Sequence, residues 1–127
     1  MPVKWSYRAS ILVVETIGVY SREELSRALV EARHDSQFRP DTRVLFDGRL
    51  SEADISTPDI DWRVQLVSGL RSMGFAKECA VVVRDKPVTF GLGRMLSMRL
   101  ENEEGIDLQV TRDFDDAMRW LAGKDLR

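Results

Sequence analysis

The chain has 127 residues, room for one domain of ordinary size and too little for two. Hydrophobic residues make up 43% and charged residues 31%, a globular balance that excludes a disordered chain. Nineteen Lys and Arg against 21 Asp and Glu leave a net charge of −2, so there is no electrostatic case for a nucleic-acid partner.

Val3, Trp5 and Tyr7 alternate with Lys4, Ser6 and Arg8, the period of a half-exposed strand. Ile11-Leu12-Val13-Val14 is apolar on both faces, as a buried strand is, and that strand runs to about Gly18. Only Ala9-Ser10 marks the hairpin between them. Ser21-Arg-Glu-Glu24 is a capping box, and Leu25, Ala28, Leu29 and Ala32 behind it share one helical face. Val44-Leu45-Phe46 reads as a second buried strand that closes on Asp47-Gly48. Thr57-Pro58 starts a second helix, with Thr57 as cap, a buried stripe of Ile60, Val64, Val67 and Leu70, and a stop at Gly74.

Cys79-Ala-Val-Val-Val83 is the most continuous apolar strand. After the loop Arg84-Asp85-Lys86-Pro87 a helix runs through Leu92, Met95, Leu96, Arg99 and Leu100 to Gly105. Ile106, Leu108 and Val110 then alternate with polar residues as an edge strand does. Phe114, Ala117, Met118 and Leu121 form the last stripe, capped near Thr111 or Asp113 and stopped at Gly123. The order is β-β-α-β-α-β-α-β-α, which predicts a single α/β domain over 1–127. Its sheet is mixed and mostly parallel, with about five strands and four helices, because strands joined through helices need right-handed crossovers.

The lone cysteine, Cys79, cannot close an internal disulfide and fits a reducing, cytoplasmic setting. With His34 the only histidine, no metal site is expected, and no cofactor motif is complete. The longest apolar runs, Ile11–Val14 and Cys79–Val83, fall far short of a membrane span, and the first residues lack a secretory apolar segment.

Candidate chemistry is sparse. Asp47 and Arg49 lie at the carboxyl end of a central strand, where open α/β sheets place ligands; Asp47 can accept a hydrogen bond and Arg49 can hold an anion. The competing reading is a turn with a neighbouring ion pair. Gly91 and Gly93, in Phe90-Gly-Leu-Gly-Arg94, open a helix as a phosphate cradle does, yet the third fingerprint position falls on Leu96. Glycines that let a helix pack closely on a sheet account for the same pattern. Trp62, beside its helix's stripe, and Met98 are candidate interface residues.

Ile17-Gly18-Val19-Tyr20-Ser21, Val44 through Arg49, Ala80 through Val83 and Phe90 through Arg94 together resemble the STAS superfamily, and within it the SpoIIAA-like branch. The resemblance spans nearly the whole chain. It implies a STAS/SpoIIAA-like domain among small bacterial proteins of mostly unassigned function. Relatives in the superfamily are anti-sigma-factor antagonists or parts of anion transporters, and the fold is shared with lipid carriers of the SEC14 type. The superfamily's switch proteins carry a phosphorylatable Ser in an Asp-Ser-Ser-Gly-Leu context. Here Ser56 matches that Ser by its position after Asp54, with Ile55 in place of the preceding Ser and Pro58-Asp59 in place of Gly-Leu. Ser56 and Thr57 are therefore candidate switch residues, against the simpler reading of Thr57 as a cap and Ser56 as a loop residue.

Three functions follow in order of expectation. The first is a non-enzymatic regulatory or interaction module that binds a protein partner and forms a homodimer. The second is a small apolar-ligand or lipid binder, with a pocket between the sheet and the helices containing Val64–Leu70 and Leu92–Leu100. The third is an enzyme using Asp47 and Arg49 on an anionic substrate, for which no second acid–base residue is in evidence.

Overall fold

Two alternating strands and three doubly apolar ones assemble as the periodicity dictates. The computed structural model describes residues 2–52, 57–84 and 87–123. Strands β1 (Val3–Arg8), β2 (Ile11–Gly18), β3 (Thr42–Ser51), β4 (Phe75–Val82) and β5 (Asp107–Thr111) lie side by side in sequence order. The β1–β2 pair is antiparallel and the other three pairings are parallel. Helices α1 (Arg22–Arg33), α2 (Thr57–Ser72) and α3 (Pro87–Glu104) connect the parallel strands, and α4 (Phe114–Gly123) follows β5.

Three crossovers that all step in one direction across a sheet, each right-handed, must put their helices on one face. The packing follows that rule. Leu25, Ala28 and Leu29 of α1, Ile60, Val64 and Val67 of α2, and Leu96 and Leu100 of α3 share one core with Leu12, Val14, Val44 and Cys79 of the sheet. On the opposite face Ala117 and Leu121 of α4 pack with Ile11, Val13, Leu45, Ala80 and Val82. A strand's side chains alternate between faces, so Leu12 and Val13, or Val44 and Leu45, feed different cores. That is why the central strands are apolar without alternation.

Local signals explain most boundaries. Ser21 Oγ accepts the Glu24 amide at 3.1 Å and Glu24 Oε1 accepts the Ser21 amide at 3.0 Å, which completes the capping box. Asp113 Oδ1 caps α4 by accepting the Asp116 amide at 3.0 Å. Gly74 ends α2 with φ +98°, where an added Cβ would meet the Phe38 ring at 3.2 Å.

Elsewhere tertiary pairing overrides local chemistry. Asp47-Gly48 is not a turn, and β3 continues through it to Ser51. An added Cβ at Gly48 would lie 3.3 Å from the Val82 carbonyl oxygen, so the glycine serves close strand packing. Glu15 pairs with Asp47 but Ile17 pairs with Leu50, and the bulge there absorbs one extra β3 residue. Strand β4 begins at Phe75, four residues before Cys79; the exposed Lys77 interrupts the apolar run, and the β3–β4 register shifts there, between the Thr42–Phe75 and Val44–Cys79 pairs. Helix α3 begins at Pro87, so Gly91 and Gly93 sit inside it and not on a loop that opens it. Met95 points outward, while Gly93, Leu96 and Leu100 are the buried residues among those of that helix whose side chains are described.

The β1–β2 hairpin turns on Ala9 at φ +50° and Ser10 at φ +67°, both exposed. This left-handed geometry suits Asn-Gly and strains an L side chain. Replacing Ala9→Asn and Ser10→Gly together is expected to stabilise the fold by roughly 1 kcal/mol. Urea unfolding checks this: the midpoint should rise with an unchanged slope, and an unmoved midpoint would mean that the turn carries no strain.

Candidate functional site

At the carboxyl ends of the parallel strands a partly enclosed cleft of about 80 Å³ separates the sheet from the crossover helices. Its sheet side is formed by Thr16 of β2, Phe46, Gly48 and Ser51 of β3, Val81 of β4 and Val110 of β5. Its helix side is formed by Leu25 of α1, Arg63, Leu66 and Val67 of α2, and Gly93 and Leu96 of α3. The cleft thus lies between the sheet and the two helices where the sequence places a pocket, and where open α/β sheets generally receive ligands.

Two glycines shape it. An added Cβ at Gly93 would come within 2.9 Å of Val110 Cγ1, so only glycine lets α3 rest this closely on β5. Gly48 lies on the same face as Phe46 and leaves out the side chain that would otherwise occupy the cleft floor.

The lining is apolar apart from a few groups, and among the described residues the charged ones have a single sign: Arg63 and Arg84 contribute, with no described Asp or Glu. The Arg63 guanidinium is held over the Trp62 ring at 4.5 Å and the Tyr20 ring at 5.5 Å. Its Nε is buried without a hydrogen-bond partner among the described residues. An arginine on the same face as Ile60 and Val67, next to Val64, is the signal in the sequence that marks this residue, because a buried stripe seldom admits a cation.

Asp47 and Arg49 lie on the other face of the sheet, away from this cleft. Arg49 donates from Nε to Asp47 Oδ1 at 2.9 Å and from Nη2 to Oδ2 at 2.8 Å, a bidentate pair. The Asp47 side chain is 4% exposed and that of Arg49 is 47% exposed. The Arg49 guanidinium also covers the Phe114 ring at 5.0 Å, with Arg8 at 5.4 Å from the same ring. The hydrogen bond to Asp47 raises the pKa of Arg49 above its ordinary value; burial opposes this, and the charges of Asp47, Glu15 and Asp113 add to the rise. Both charged groups are therefore committed to each other. The open groove around them, of about 370 Å³, is polar and carries Lys4, Ser6 and Glu15. The four residues grouped as an anion or ligand site consequently separate: Asp47 and Arg49 on the α4 face, Gly93 in the apolar cleft, and Gly91 exposed on α3.

Ser56, with Asp54 and Ile55, lies outside the described residues, as does the side chain of Thr57, whose backbone opens α2. Trp62 is half-buried against the helical core, beneath Arg63. Met98 is 61% exposed on α3. His34 caps the C-terminus of α1, with Nδ1 2.8 Å from the Val30 carbonyl oxygen. The Cys79 thiol is fully enclosed, and burial first, then the charges of Asp107 and Glu78, push its pKa well up, so it is no nucleophile. Among the described residues no group of three His, Cys, Asp or Glu side chains can hold a metal ion. None of the described helices is long and apolar enough to cross a membrane.

No family model matches the chain, and neither does any curated protein. A search of solved structures finds similarity to an uncharacterised protein of the DUF3478 family from Shewanella loihica PV-4, described as having a SpoIIAA-like fold. The TM-score is 0.59 at 17% sequence identity, over 94% of this chain and 91% of that one. The chain has a SpoIIAA-like α/β fold, with four helices and a five-stranded mixed sheet.

If the Asp47–Arg49 pair is structural, Arg49→Ala strands a buried carboxylate and is expected to cost about 1–3 kcal/mol. Asp47→Asn with Arg49→Ala should recover part of that loss, because the remaining buried group is neutral. Thermal unfolding of the single and double variants checks it; equal loss in both would deny the charge its part.

Proposed function

We propose that this chain is a non-enzymatic regulatory module of the STAS type whose binding site is the apolar cleft at the carboxyl ends of its strands, and that it holds a small apolar ligand there. The observation that carries this reading is the cleft itself, lined by Leu25, Phe46, Leu66, Val67, Leu96 and Val110, with Gly48 on the sheet wall and Gly93 on the helix wall. Close packing normally leaves few voids larger than a water molecule, so a preformed apolar opening at this end of the sheet marks a site. The mutual commitment of Asp47 and Arg49 supports a binding role over a catalytic one, since neither group is left to transfer a proton. A bacterial and cytoplasmic setting belongs to the same proposal and rests on the resemblance and on the single thiol.

A second reading, binding of a protein partner or of another copy as a homodimer, is favoured by the outer side of α3, where Met95 and Met98 are 47% and 61% exposed. Both readings use α3, which lines the cleft through Gly93 and Leu96 and faces outward through the methionines.

Leu66 is half-buried at the cleft wall, so Leu66→Trp fills the opening without replacing a core residue. Protein purified without added ligand is expected to carry a small adduct in a native mass spectrum that denaturation removes, and Leu66→Trp at an unchanged melting temperature is expected to lack it. A wild-type chain free of adduct but bound to a second copy would move the function to the α3 surface.

A further inference from the structure

From the charge pattern of the cleft we infer that its ligand is a short or branched apolar monocarboxylate, and that Arg63 receives the carboxylate. The inference rests on the ligand-binding reading above and adds the chemistry of the ligand. The chain as a whole is slightly acidic, with 21 Asp and Glu against 19 Lys and Arg, yet the charged groups that line the cleft among the described residues are Arg63 and Arg84, and Arg63 is the one that lies over the aromatic rings. An arginine set among apolar walls favours an anion, because the walls lower the local dielectric and strengthen the attraction.

Arg63 has the geometry of a receiving group. Contact with the Trp62 and Tyr20 rings restrains the guanidinium, so less freedom is lost when a ligand arrives. The aromatic contacts supply no hydrogen-bond acceptor, and the buried Nε has no hydrogen-bond partner among the described residues. A buried donor without an acceptor is unfavourable, and a planar two-oxygen anion is the acceptor that fits a guanidinium edge.

Size sets the other half of the ligand. The cleft holds about 80 Å³, against the roughly 150 Å³ of a cavity that takes up benzene. The tail is therefore a short or branched acyl group, not a long lipid chain.

Isothermal titration with isovalerate, its neutral amide isovaleramide and the longer decanoate tests this on wild type, Arg63→Gln and Arg63→Lys. Isovalerate is expected to bind wild type at least tenfold more tightly than the amide. Arg63→Gln should lose that preference while binding the amide as before, and Arg63→Lys should keep part of it. Equal binding of acid and amide by wild type would overturn the carboxylate assignment and leave the cleft reading intact. Binding of neither would overturn both. A preference for the acid that survives in Arg63→Gln would take the role from Arg63, and tighter binding of decanoate would overturn the short-chain assignment.

Discussion

Three crossover helices have to share one face of a five-stranded sheet, because the strands follow one another in sequence order. Nearly everything else in the molecule adjusts to that crowding. The crowded face carries the larger core, which joins α1, α2 and α3, while the opposite face has α4 alone. Helix α4 packs against β3, β4 and β5, and the part of that face over β1 and β2 displays Lys4, Ser6, Arg8 and Glu15 to solvent. The Asp47–Arg49 pair sits at the border between the two zones, where a buried carboxylate needs a cation beside it.

The same crowding produces the cleft. Sequence-ordered strands have no switch point at which helices diverge to opposite faces, so an opening cannot arise there. It arises instead between the sheet and its helices, where glycine replaces a side chain on each wall. Gly93 lets α3 sit against Val110, and Gly48 leaves the β3 floor bare. Trp62 and Tyr20 then hold Arg63 at this opening, which couples α2 to the segment between β2 and α1.

Legibility in the sequence tracks how local the cause is. The capping box at Ser21 and Glu24, the stripe from Ile60 to Leu70 and the stop at Gly74 are decided by neighbours within a turn or two, and the structure has them where the pattern puts them. The continuation of β3 through Asp47-Gly48 is decided by strands more than thirty residues away, and turn chemistry points the wrong way there. Gly91 and Gly93 look alike in the sequence, yet one faces solvent and the other meets Val110, a residue of another element. The site was legible in outline, as a space between the sheet and two helices. Arg63 is not among the residues that the sequence pattern singles out; one of the rings that hold it is its neighbour Trp62, but the other, Tyr20, comes from a distant part of the chain.

The most direct test of a ligand-binding cleft is a two-dimensional amide NMR titration of the full chain with isovalerate. The account predicts concentration-dependent shifts gathered at Thr16, Gly48, Arg63, Gly93 and Val110, from five different elements that all line this opening. Shifts confined to Arg8, Arg49 and their neighbours on the α4 face, or a spectrum that does not move, would contradict it.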